Sequence, residues 1–265
     1  MNLSLRSIRW AIYGALLWMA FAPLARLRGQ SFQWVTIAGS TRDEIAQFMT
    51  VDLAGNTYLT GHIGGSTSFG NTTLVATEAE LMFLAKFNAM GQPVWAIQAQ
   101  GNSNSEGRAV AVDRDGNVFV TGYFTGTTRF EATELLSRGL GDLFVAKYDS
   151  SGHLLWVRQA GGDDASSPEF SRAIAVDFRG HCYVFAEFRG TADVGAFRLT
   201  ASNGLTSFLA KYDTDGNVLW ARNIAPCSYD DRRGIAFDPW GNIVLAANFR
   251  GAVSFGDQTL ASAGA

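Results

Sequence analysis

The chain has 265 residues, 47% hydrophobic and 17% charged, a composition that suits a globular protein able to bury a substantial core. Its formal charge of −3 argues against nucleic-acid binding, which wants a basic stripe, and two cysteines are too few for a disulfide scaffold. Twenty-nine glycines and 12% aromatic residues fit an all-β protein with many tight turns.

The first 29 residues stand apart. Arg6 and Arg9 precede a run from Trp10 to Ala22 that carries no charge, and Ala20-Phe21-Ala22 has the small-x-small form of a signal-peptidase site. Pro23 disfavours that cut, so cleavage nearer Gly29 is the other expectation. The run is shorter than the ~20 apolar residues of a comfortable membrane span. Residues 1–29 thus read as an export signal or, if uncleaved, an N-terminal anchor. Removing them leaves 17 basic against 24 acidic residues, a charge of −7. The expectation is a secreted, periplasmic or cell-surface protein that meets a membrane only through this segment.

From residue 30 onward one pattern recurs. It reads Val-Asp-x-x-Gly-Asn at Val51 to Asn56 and at Val112 to Asn117, then returns at Val176 to His181 and at Phe237 to Asn242. The markers Asp52, Asp113, Asp177 and Asp238 are 61, 64 and 61 residues apart. The second copy is the cleanest: strand A is Arg108–Asp113, strand B Asn117–Phe124, strand C Leu143–Tyr148 and strand D Leu154–Gln159, with a less regular stretch from Thr125 to Gly141. Asp at the first turn position and Gly at the fourth (Gly55, Gly116, Gly180, Gly241) make a type I turn whose Gly takes the left-handed conformation. The C–D turns repeat this at Asp149–Gly152 and Asp213–Gly216, and more loosely at Asn88–Gly91. Four short strands with such a period predict a β-propeller of four-stranded antiparallel blades, incompletely closed. The units run about 46–99, 108–159, 171–223 and 234–265, with an orphan strand at 31–37.

Hairpin geometry sorts the loops. Every A–B and C–D turn lies at one end of its blade, and the longer B–C and D–A connections lie at the other. Long loops on a rigid scaffold usually carry binding. The D–A loops hold Asp43, Glu44, Glu106, Asp163, Asp164, Glu169, Asp230 and Asp231, which would gather on one face as a solvated rim or a binding face for a protein or glycan. Trp95, Trp156 and Trp220 recur at one place in strand D, where packing between blades is expected. Lys86, Lys147 and Lys211 recur in strand C as scaffold positions. Asp113/Asp115 and Asp213/Asp215 have the spacing of a calcium-loop start, but no Glu stands at the twelfth position, and hairpin turns are expected. His62, His153 and His181 have no ligand spacing. Cys182 and Cys227 fall at opposite blade ends, too far apart to pair. No catalytic, cofactor or metal residue stands out.

The segments Val112–Phe124 and Asp142–Asp149, with Phe69-Gly70 and Phe255-Gly256 between strands B and C, resemble the bacterial SBBP repeat, named for an expected seven-bladed β-propeller. That resemblance implies an exported or surface-attached propeller used as a structural or binding module, without catalytic residues to carry over. The chain departs from it in having only about four units. The third is irregular at His181-Cys182 and at Val194, and the fourth stops before strands C and D. Asp149-x-x-Gly152-x-x-x-Trp156 and Asp213-x-x-Gly216-x-x-x-Trp220 are also similar to the tryptophan-docking motif of quinoprotein-type propellers, although the Thr before Gly is missing. A quinone-dependent enzyme is thus one alternative. A carbohydrate-binding propeller, hinted at by Tyr123, Tyr229 and Trp240, is another.

Overall fold

A computed structural model describes residues 34–35, 44–163, 169–201, 204–226, 234–247, 249, 251–255 and 258–262. The N-terminal segment 1–29, the acids Asp43, Asp164, Asp230 and Asp231, Cys227 and Tyr229 lie outside them, as does most of the expected strand 31–37. Among the described residues there is no helix.

The first unit contains β1 (Glu44–Val51), β2 (Thr57–Ile63), β3 (Ser66–Phe69), β4 (Thr72–Val75), β5 (Leu81–Phe87) and β6 (Pro93–Gln98), followed by the short β7 (Gln100–Gly101). The second contains β8 (Ser105–Val112), β9 (Val118–Phe124), β10 (Thr127–Phe130), β11 (Thr133–Leu136), β12 (Asp142–Tyr148) and β13 (Leu154–Gly161). The third contains β14 (Phe170–Val176), β15 (Cys182–Phe188), β16 (Thr191–Val194), β17 (Phe197–Thr200), β18 (Thr206–Tyr212) and β19 (Val218–Pro226). The fourth shows β20 (Gly234–Phe237), β21 (Ile243–Ala246), β22 (Ala252–Phe255) and β23 (Gln258–Ala261).

The first three units each build an antiparallel A–B–C–D sheet: β1-β2-β5-β6, β8-β9-β12-β13 and β14-β15-β18-β19. Among the described residues no sheet closes on itself, and the repeats form a partial propeller. The third unit is regular despite its sequence: Val176 pairs with Cys182, as Val112 pairs with Val118. His181 even takes the role of the usual Asn, its Nδ1 lying 3.1 Å from Asp177 Oδ2 where Asn117 Nδ2 donates to Asp113 Oδ2 at 2.8 Å.

The B–C stretch is not a loop. Thr127–Phe130 and Thr133–Leu136 form a four-pair hairpin, and the other units repeat it. The Phe of the Phe-Gly element closes the first strand and the Gly opens the two-residue turn, a position that needs a left-handed residue, and Gly70 and Gly195 supply φ of 60° each. Glu131 takes that place in the second unit at φ 49°. Its carboxylate compensates by accepting from the Leu154 amide at 2.8 Å. The second and third hairpins also reach back to the preceding unit: β10 pairs with β7, and β16 pairs with the end of β13 through Val194↔Ala160 and Asp193↔Gly161.

A smaller core around Phe69, Leu74 and Phe83 lies within the first unit, but the two largest lie between units. One joins Met82 and Leu84 of the first unit to Val118, Val120 and Phe144 of the second. The next joins Phe119, Val145 and Trp156 of the second to Val184, Phe208 and Tyr212 of the third. A single blade therefore cannot shield its own faces, which is the physical reason that such units come in series. Cys182 sits in the second of these cores, fully buried, and burial pushes its thiol well above the ordinary value.

Strand D carries a device that residue order hides. Its register with strand C slips just before each tryptophan, so Lys147 faces Trp156 but Tyr148 faces Leu154, and Leu155 bulges out. The same slip expels Val94 and Leu219. A bulge re-aims the side chains beyond it, and here it turns the indole onto the neighbouring unit. Trp156 Nε1 donates to Thr214 O at 2.9 Å, and Trp95 Nε1 donates to Ser150 O at 3.1 Å. Lys147 Nζ and Lys86 Nζ share those carbonyls. The rings lie against Gly216 and Gly152, where an added Cβ would sit 2.7 and 3.1 Å from the indole.

Candidate binding site at the axial turns

The four A strands are neighbours across the repeats: β1 lies against β8, β8 against β14, and β14 against β20. Each ends on an apolar residue and then an Asp, because a type I turn with a side-chain acceptor at its first position comes next. Consequently four A–B turns converge. They line one hollow of about 620 Å³, walled by Val51, Val112, Val176 and Phe237 and rimmed by Leu53, Arg114, Phe178 and Pro239. Such a volume falls in the range of ordinary ligand sites. Leu53 is 96% exposed and Phe178 63%, while Trp240, one turn position past Pro239, is 84% exposed. Large apolar side chains at turn positions are unusual, and two of these, Leu53 and Phe178, line the hollow.

Asp52, Asp113, Asp177 and Asp238 also line this hollow. Their oxygens are already engaged by their own turns. Asp52 Oδ1 accepts from the amides of Ala54 at 2.9 Å and Asn56 at 2.8 Å, while Oδ2 accepts from Asn56 Nδ2 at 2.8 Å and from the Tyr58 hydroxyl at 3.0 Å. Burial raises the Asp52 carboxyl, but these donors outweigh it and hold the group below the usual carboxylate range. Burial also raises Asp177, and the amides of His181 and Arg179 outweigh it in the same way. At Asp238 the Asn242 side chain is the leading cause. These carboxylates are fixed, ionised parts of the scaffold and are poorly suited to moving protons. Asp113 and Asp213, which open the calcium-like spacings, are bound the same way by Asn117 and Asn217. Asp115 and Asp215 are exposed in the same turns. Among the described residues no three His, Cys, Asp or Glu side chains converge on a metal position.

The long-loop end differs from the expected solvated rim. Glu106 is buried, its carboxylate accepting from Gln47 and from Arg108 at 3.3 Å, with His62 Nδ1 3.9 Å away. Glu169 is also fully buried. Both acids stand at the start of inner strands, where Gln47, Arg108 and Arg172 are the bulged residues of β1, β8 and β14. Arg172 pairs with buried Glu187 at 2.8 Å, and Arg108 lies over the Phe170 ring at 4.6 Å. Among the described acids of this set only Asp163 is plainly exposed, and Glu44 accepts from Thr67 Oγ1 at 3.1 Å. Tyr123 is half-buried edge-on to Phe170, so of the three aromatics noted for sugars it is not a free platform.

Inter-unit cores, docked strand-D tryptophans and converging A strands are the architecture of propeller repeats, and a family model agrees over one stretch. Residues 94–127 match the model of the SBBP beta-propeller repeat. The SBBP segment runs from strand D of one unit into the hairpin of the next. Among curated proteins, an uncharacterized WD repeat-containing protein of Acanthamoeba polyphaga mimivirus is 22% identical, over 84% of this chain and 20% of its own length. The regulatory protein FlaEY of Caulobacter vibrioides is 27% identical, over 51% of this chain and 14% of its own. The chain thus spans a fifth or less of the curated relatives it matches. A crystal structure of a protein of unknown function from Bacteroides caccae overlays with a TM-score of 0.38 at 14% identity, covering 73% of this chain and 52% of the other.

Proposed function

We propose that this propeller is a noncatalytic binding module, exported from the cell, whose contact surface is the axial hollow at the tight-turn end. One observation carries the reading: four successive repeats each contribute a rigid turn to the same concave, largely apolar surface. The carboxylates around it are committed to their turns, which favours recognition over acid–base chemistry. Preformed concave sites with apolar walls and few polar groups are the usual form of a binding pocket. Export rests on the charge and apolar pattern of residues 1–29, and the curated relatives add support only for a repeat-built module.

Peptide and glycan arrays probed with the wild-type chain and with a Leu53→Asp/Phe178→Asp double variant test the site. Both side chains are exposed, so the variant should keep the wild-type melting temperature while losing its ligands. Binding that survives this change but disappears on Leu136→Asp, in the exposed hairpin at the opposite end, would return the contact surface to the long loops. Mass spectrometry of the mature N-terminus after cell fractionation tests export. An intact Met1 in the cytoplasmic fraction would refute it.

A further inference from the structure

The chemistry of the hollow narrows its occupant, given that the hollow is the binding site. Its walls are Val51, Val112, Val176 and Phe237, and its mouth carries Leu53, Phe178 and Pro239, so part of the ligand must be apolar. Around those side chains stand four carboxylates, Asp52, Asp113, Asp177 and Asp238. On the cationic side, Arg114 lines the hollow and Arg179 lies over the Phe178 ring at 5.3 Å. Lys211 Nζ is 3.7 Å from Asp177 Oδ2. Asp115 and the turns' own amides complete the set.

We propose that the hollow receives a peptide segment in which a lysine or arginine stands beside a large apolar side chain. The apolar group fills the space between the four A–B turns, and the cation lies over the carboxylate ring. That ring acts through its field rather than by direct ligation, because the carboxylate oxygens are engaged within their turns. The carboxyls of Asp52, Asp177 and Asp238 lie below the ordinary carboxylate range, so these three stay charged down to mildly acidic pH. The preference for a peptide over a small amine comes from the rim. Leu53 and Phe178, 96% and 63% exposed, line the hollow and offer contact area that a small molecule would leave wet.

A random peptide library displayed on phage and selected against the full chain is the direct probe. Selected sequences should pair Lys or Arg with Leu, Ile or Phe within two positions, and the uncharged double variant Leu53→Ser/Phe178→Ser should weaken them by roughly tenfold or more. Arg114→Glu, at an exposed turn position, should tighten them by about threefold, and raising salt should weaken them. Selected peptides that are neutral or acidic, or that bind Arg114→Glu less well, would overturn the basic-peptide assignment while leaving the hollow as the site. Peptides indifferent to the double variant would remove the site itself. Full competition by tetramethylammonium at low millimolar concentration would assign the hollow to a small cation instead.

Discussion

Trp156 and Trp220 occupy the same place in strand D, after the same bulge and opposite the same lysine, yet they live differently. Trp156 is 7% exposed, lies over Gly216 and donates to Thr214 O in the next unit. Trp220 is only half-buried and meets Tyr183 of its own unit at 6.0 Å. The difference lies in the neighbour: the third unit offers a C–D turn, and among the described residues the fourth shows none. Docking of a repeat tryptophan on a neighbouring turn is therefore a property of succession, but the depth of burial is not, since Trp95 docks on Ser150 and Gly152 and is still half-buried.

The largest expected effect breaks this comparison at its closed end. Trp156→Ala should destabilise by about 3–5 kcal/mol, the usual cost of truncating a buried aromatic. Trp220→Ala should cost less than about half of that, since less of its surface leaves water. Calorimetry of both variants, with Trp95→Ala between them, checks the order. Equal losses for Trp156→Ala and Trp220→Ala would show that the docking turn contributes little.

A second contrast uses the turns themselves. Gly216 and Gly241 have φ of 79° and 86°, so alanine is strained at either by about 1–2 kcal/mol. At Gly216 the new Cβ would also come within 2.7 Å of the Trp156 ring, whereas at Gly241 the nearest atom is 4.0 Å away. Gly216→Ala should lower the urea midpoint clearly more than Gly241→Ala.

Acid should act on five of the turns together. The carboxyls of Asp52, Asp149, Asp177, Asp213 and Asp238 titrate lower in the folded chain than their usual value. Their contribution is complete above about pH 4, the unfolded value, and is lost as pH falls through the folded values. The melting temperature should be flat from about pH 5 to 7 on account of these groups and drop toward about pH 2. Asp52→Asn should make that drop shallower. The smallest effect is His181→Asn, which restores the side chain of the sister turns and should change stability by less than about 0.5 kcal/mol.

Strands A to D and the tight turns were legible because period, alternation and turn chemistry agreed locally. The hairpin between B and C was not, since Thr127–Phe130 and Thr133–Leu136 are four residues each and half polar. The recurrent Phe-Gly was its signal, a turn residue asking for positive φ. The buried state of Glu106 depends on Gln47 from another repeat, a contact that no local window contains. The axial hollow did leave a trace: Leu53, Phe178 and Trp240 are oily residues at positions where turns ordinarily place polar ones.

The pairing of β16 with the end of β13 bears on how such chains can be cut and recombined. A cassette excised at the period of the sequence, from one strand A to the next, takes its hairpin away from the strand that completes it. Gene duplication that preserves these backbone links must copy at least two neighbouring cassettes, or insert the new one where both of its borders find an equivalent host.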